Sequence, residues 1–220
     1  MLGYYPGCTV RAQKDDGFER ESMAILQALG IDAQELAEWE CCGAVYPLSK
    51  DEYVPLLSSV RALQRTQKEN REGLLTLCSA CYHVLKRVNN RMKNDLEAKR
   101  RIENYLESEY DGTTKVYHLI EVLRDFVGFD KLKEETVETL TEEKIACYYG
   151  CLLLRPSGEM NLLDPENPQL MDLIIKALGG QTVKFPYQTD CCGSYHAYQK
   201  EEISQSISQK IITAAKKAGA

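Results

Sequence analysis

At 220 residues, with 44% hydrophobic and 27% charged residues and a formal net charge of −6, the chain has the apolar content to bury a core without disulfides and the length for one large domain or two halves. That balance excludes a disordered chain and a general surface for nucleic-acid phosphates. Residues 1–8 show no basic region followed by a long apolar stretch, and no segment reaches the roughly 18 apolar residues of a membrane span, so the sequence predicts neither a secretory signal nor a transmembrane segment.

Residues 2–5 are a short apolar and aromatic run ending at Pro6-Gly7, which predicts a strand with Cys8 at its carboxyl end. Apolar spacing over residues 18–29 predicts a helix stopped by Gly30. Residues 31–39 then lead into Cys41-Cys42-Gly43, whose glycine permits a turn or a close approach that a Cβ would obstruct. A second helix is expected over 53–69, and residues 73–77 read as a buried strand delivering Cys78-Ser79-Ala80-Cys81, with helical spacing resuming over 82–92. The basic run from Lys86 to Arg101 reads as a solvated helix face. A charged helix is expected over 94–110, and a strand passing into a helix over 116–127.

The acidic, apolar-poor stretch 128–143 reads as a connection between halves, after which the pattern restarts. Residues 144–151 end in aromatic-Gly-Cys as residues 2–8 do, a helix over 168–178 stops at Gly179-Gly180, a short run at 182–185 precedes Cys191-Cys192-Gly193, and a last helix is expected over 203–217. This is an approximate internal duplication. It predicts an α/β protein of two similar, pseudo-twofold-related units, each a small parallel sheet flanked by helices with cysteine loops at strand ends: residues 1–127, a linker over 128–143, and 144–220.

Nine cysteines, an odd number that includes two doublets, suit ligation or redox chemistry better than a disulfide framework. They fall as Cys8, 32 residues, Cys41-Cys42, 35 residues, Cys78-x-x-Cys81, and again as Cys151, 39 residues, Cys191-Cys192. Thiolates are soft, strongly donating ligands that favour iron-sulfur or zinc sites. Cys78-x-x-Cys81 taken by itself has the spacing of a dithiol redox pair. Cys147 lies outside the repeated positions and reads as a buried apolar residue.

The motifs Tyr5-Pro6-Gly7-Cys8, Cys41-Cys42-Gly43, Cys78-x-x-Cys81, Tyr149-Gly150-Cys151 and Cys191-Cys192-Gly193 resemble the cysteine-rich CCG-domain family, most of all the B subunit of heterodisulfide reductase. The resemblance implies a noncubane iron-sulfur cluster of 4Fe-4S type held by Cys8, Cys41, Cys42, Cys78 and Cys81, with zinc as the alternative metal for the same thiolates. In the second half Cys151, Cys191 and Cys192 match, but only 28 residues follow Cys192 and no second Cys-x-x-Cys appears in them, so the second set reads as incomplete and C-terminally truncated.

The activity implied is reductive cleavage of a small-molecule disulfide to two thiols, with electrons from a small subunit carrying 4Fe-4S cubanes, itself fed by a flavin-containing subunit. No dinucleotide-binding glycine turn follows a strand here, so the chain is expected to be nearly inactive alone. Of the three histidines, His196, four residues after the second doublet, is the candidate catalytic proton donor, whereas His83 and His118 carry less specific signals. With neither a signal nor a span in the sequence, the chain is expected to be cytoplasmic, or peripheral on a membrane complex. Two alternatives remain: an electron-transfer module of a lactate or glycolate oxidation or succinate dehydrogenase-type complex, and a zinc-binding structural protein.

Overall fold

The apolar run near the N-terminus forms the first strand, and its partners in the sheet come from distant parts of the chain. The computed structural model describes residues 1–12, 17–44, 50–162, 164–197 and 199–220. It divides into two units, Met1–Val122 and Leu123–Ala220.

In the first unit β1 (Leu2–Tyr4) is followed by the short helix α1 (Gly7–Arg11), α2 (Gly17–Ala28), β2 (Ala33–Glu35) and a 3-10 turn (Val54–Leu56) that runs into α3 (Leu57–Lys68). Then come β3 (Leu74–Thr76), α4 (Ser79–Asn94), α5 (Leu96–Leu106), β4 (Val116–His118) and α6 (Leu119–Val122). The four strands make a wholly parallel sheet in the order β2-β1-β3-β4. Parallel neighbours require crossovers, which the helices supply, and strands covered on both faces read as unbroken apolar runs. Accordingly β3, Leu-Leu-Thr, is buried throughout. Leu2, Tyr4, Val10, Leu26, Leu75, Leu77 and Val122 form a core cluster that joins β1 and β3 to α1, α2 and α6. Helix α4 packs on β3, β4 and α3, with Tyr82, Val84 and Leu85 fully buried.

The basic run on α4 and α5 is a solvated face, with Lys93, Arg100 and Arg101 exposed and Lys86, Arg87, Arg91 and Lys99 half-buried, and several of its side chains are tethered. Lys86 Nζ lies 4.9 Å from the centre of the Tyr82 ring, and Arg91 and Arg101 lie over Tyr53 while pairing with Glu52 and Glu97.

The second unit opens with a π-helical turn (Leu123–Val127) and α7 (Phe129–Glu134), followed by β5 (Lys144–Ile145), α8 (Ser157–Met160), α9 (Leu170–Ala177), β6 (Gln181–Thr182), a 3-10 turn (Ser194–His196) and α10 (Glu201–Lys217). β5 and β6 pair in parallel. Each unit is therefore a parallel sheet flanked by helices. The stretch 128–143 carries α7, which packs on α9 through this unit's own contacts. Its buried anchor is Leu132, a single apolar residue among charges and so a weak periodic signal.

Candidate metal centre

The strand order fixes where the cysteines meet. From β1 the chain crosses to β2 on one side, and from β3 it crosses to β4 on the other, so β1 and β3 flank the point at which the winding reverses. In parallel α/β sheets the crevice beyond the carboxyl ends of such a strand pair is the usual ligand site. Cys8 follows β1, Cys41-Cys42 follow β2, and Cys78 and Cys81 follow β3. Five thiols from three strands thus reach one sheet edge.

Two of the five are not on loops. Cys8 lies in the first turn of α1, and Cys81 in the first turn of α4, for which Cys78 is the N-cap residue. The exposed Cys8 and Cys41 place their sulfurs 3.7 Å apart. The buried Cys42 and Cys81 place theirs 3.5 Å apart, and Cys78 is half-buried beside them. Among the described residues no three Cys, His, Asp or Glu side chains close about one point as a single ion requires; the sulfurs fall into the pair Cys8 and Cys41 and a chain in which Cys81 stands between Cys42 and Cys78.

The electrostatics follow from this crowding. Hydrogen bonding from Cys81, helped by the backbone N–H groups of Cys81 and Ala80 at the start of α4, pulls the Cys78 thiol down to about 6. Cys81, hydrogen-bonded to Cys42 and Cys78 and desolvated, is driven strongly upward. Gly7 has φ +72°, and a Cβ there would fall 2.5 Å from Cys81 Sγ. That contact explains why this position must be glycine: the backbone passes against a sulfur.

Oxygen donors hold the doublet in place. Ser58 Oγ donates to the Cys41 carbonyl at 2.7 Å and Ser59 Oγ to the Cys42 carbonyl at 3.0 Å, both from the first turn of α3. The buried Tyr5 hydroxyl donates to the carbonyl of Glu40, the residue before the doublet. Burial first, then Cys42, Cys81, Cys41 and Cys8 around it, raise the Tyr5 phenol far above its ordinary value.

The second unit repeats the arrangement with fewer thiols. Cys151 and Cys192 are half-buried and Cys191 is exposed. Burial, followed by Cys191, pushes Cys151 up to about 11. Gly193 N–H donates to Cys191 Sγ at 3.3 Å, Ser208 of α10 donates to the Cys192 carbonyl at 3.4 Å, and the Tyr148 hydroxyl donates to the Asp190 carbonyl at 2.6 Å. Sequence reasoning assigned no role to these tyrosines and serines. The signal was present in both halves as Tyr-x-Gly-Cys, at Tyr5 and at Tyr148.

Cys147 is buried, and burial with Asp172 nearby pushes it up to about 11. His196 stands exposed on the 3-10 turn after Gly193. His83 and His118 are buried.

A model of the cysteine-rich domain family, CCG, matches residues 2–86 and 145–220, the two stretches that carry these repeated sets. The chain belongs to the CCG cysteine-rich domain family. CCG relatives of known role include the 8-methylmenaquinol:fumarate reductase membrane anchor subunit from Wolinella succinogenes, 33% identical, the alignment covering all of this chain and 76% of that protein. Another is the B subunit of a ferredoxin/F420H2-dependent CoB-CoM heterodisulfide reductase from Methanosarcina acetivorans, 32% identical over 94% of this chain and 69% of that one. A third, the B subunit of the ferredoxin:CoB-CoM heterodisulfide reductase from Methanosarcina mazei, is 33% identical over 88% of this chain, which spans 65% of its length. These relatives are subunits of oxidoreductase complexes. Among the described residues of this CCG chain, no helix is long and apolar enough to cross a membrane.

Proposed function

We propose that the chain is the iron-sulfur subunit of a disulfide-reducing complex, in which R–S–S–R′ takes up two electrons and two protons and leaves as two thiols. The observation that carries this reading is that Cys8, Cys41, Cys42, Cys78 and Cys81 all follow strands at one edge of the first sheet, at its winding reversal, where the Gly7 backbone passes against the Cys81 sulfur. Five soft donors, one close pair and one chain of three, fit an iron-sulfur group of several irons, which when bound supplies electrons one at a time. In this reading these cysteines hold the noncubane 4Fe-4S type cluster, while Cys151, Cys191 and Cys192 form the partial set of the second unit.

The protein's own residues orient and shield that site. The buried pair Cys42 and Cys81 forms its inner wall, and the exposed pair Cys8 and Cys41 its open side, where electrons and substrate approach. The partners are a small protein carrying 4Fe-4S cubanes and a flavin-containing subunit. His196, exposed just after the second doublet, is the candidate proton donor of the second unit's partial cysteine set.

A second reading is favoured by the full-length match to the fumarate reductase anchor subunit: an electron-transfer module of a quinol-linked or related complex with no disulfide as substrate.

The test is anaerobic preparation of the protein with its complex, followed by assay of iron, acid-labile sulfide and thiol release from a heterodisulfide with a reduced viologen as donor. Iron with sulfide and thiol release are expected. Iron and sulfide with electron exchange toward a quinol but no thiol release would move the assignment to the second reading. Stoichiometric zinc without sulfide would defeat both.

A further inference from the structure

One arrangement occurs in both units and belongs to neither cysteine set. In Tyr5-Pro6-Gly7-Cys8 and in Tyr148-Tyr149-Gly150-Cys151 a tyrosine stands three residues before the cysteine, and the intervening glycine has φ +72° and +64° respectively. Each tyrosine hydroxyl donates to the carbonyl of the residue just before the doublet, Glu40 in the first unit and Asp190 in the second. The other side of each doublet is held by serine hydroxyls of the following helix, Ser58 and Ser59 on Cys41 and Cys42, and Ser208 on Cys192. Both glycines closing the doublets are left-handed, with φ +71° at Gly43 and +78° at Gly193.

We propose that Tyr5 and Tyr148 are positioning residues of the two cysteine sets: each phenol ties the Cys-Cys-Gly loop to the Tyr-x-Gly-Cys turn and, with the serines, sets the direction in which the doublet's sulfurs point. A doublet needs such a clamp. Adjacent residues in an extended segment place their side chains on opposite faces, so presenting both sulfurs to one group requires a loop conformation that no sheet ladder enforces. In the first unit that loop follows β2 and lies outside any strand, so its carbonyls take their partners from side chains instead of a neighbouring strand. Outer groups that orient ligands in this way change metal affinity by about 10–100-fold when lost.

The inference rests on the cluster reading for its purpose but not for its test, which begins with metal-free protein. The full chain is prepared as Tyr5→Phe, Tyr148→Phe and Ser59→Ala, together with Tyr110→Phe, which removes a buried hydroxyl bonded to Asn89 away from the cysteines. Cysteines are alkylated with a maleimide and read peptide by peptide. Tyr5→Phe and Ser59→Ala are expected to raise labelling of the buried Cys42 about tenfold, the factor that corresponds to about 1.4 kcal/mol. Tyr148→Phe is expected to raise Cys192 by a similar factor, while Tyr110→Phe leaves both unchanged.

In protein loaded with iron and sulfide, Tyr5→Phe is expected to release iron to a chelator about 10–100-fold faster and to alter the electron paramagnetic resonance signature of the reduced centre, whereas Tyr110→Phe is expected to do neither. Unchanged Cys42 and Cys192 labelling would overturn the proposal. So would a rise that includes the buried Cys147 equally, because it would mean general loosening. Wild-type protein that takes up no iron and sulfide defeats the cluster reading instead, and leaves the labelling result to decide the positioning role.

Discussion

Gly7→Ala is the substitution whose cost follows most directly from the geometry. A residue with a Cβ at φ +72° carries a backbone penalty of about 1–2 kcal/mol. The added methyl would sit 2.5 Å from Cys81 Sγ, in a place where Cys81 is 2% exposed and its sulfur is already 3.5 Å from that of Cys42. Displacing a packed group there adds about 1–3 kcal/mol, so the total is about 2–5 kcal/mol. The single tryptophan, Trp39, lies in the same unit with its ring 5.7 Å from that of Tyr5, and its fluorescence during urea unfolding of metal-free protein reports on this unit alone. Gly7→Ala, Cys81→Ala and the double variant complete a cycle. Because the double variant removes the colliding sulfur, a coupling of about 1–3 kcal/mol is expected, leaving only the backbone part. Strict additivity would refute the close-approach argument, and a loss below about 1 kcal/mol for Gly7→Ala would refute the backbone part as well.

Three further outcomes follow. Cys8→Ser and Cys78→Ser should each lower iron uptake in anaerobic reconstitution, whereas Cys147→Ser should leave uptake unchanged and cost about 1–3 kcal/mol for a buried hydroxyl, as iron analysis and urea unfolding will check. His118, pushed down to about 4 by burial, is neutral in the folded protein and charges readily only when unfolded; the stability it contributes is fully present above about pH 6.5 and is lost as pH falls toward 4, about 3 kcal/mol in all. Urea titrations between pH 7 and 4 should show that loss, and His118→Leu should abolish this part of it. Asp95 accepts the Ala98 N–H at 3.0 Å as the N-cap of α5, so Asp95→Ala should cost about 1 kcal/mol in Trp39-monitored unfolding without changing iron content.

The sequence revealed what periodicity and repetition encode. The strand at residues 2–5, the helix at 18–29, the strand-cysteine-helix order at 73–92 and the restart near residue 144 are all present at or near those positions. Other features lack a local signal. β2, Ala-Gln-Glu, has no apolar alternation because it lies at a sheet edge and is largely exposed; its strand state comes from pairing with β1. α7 is anchored by Leu132 within a charged stretch. At the candidate site the repeated motifs singled out the cysteines, but the neighbouring of Cys8 with Cys41 and of Cys42 with Cys81 depends on the order β2-β1-β3. The phenol and serine bonds to the doublet carbonyls join residues 16 to 42 positions apart, beyond the reach of any local pattern.

The five thiols of the first set all lie ahead of Val122, in a unit with its own sheet and core. A ribosome adds about 5–20 residues per second, so the second unit trails the first by several seconds or more. During that interval the first set stands finished and alone, its outer pair, Cys8 and Cys41, open to whatever arrives. Under the proposed cluster reading, an iron donor and an oxidant would therefore compete for the same two sulfurs while the chain is still being made, and the order of their arrival would decide whether the nascent protein is charged or spoiled.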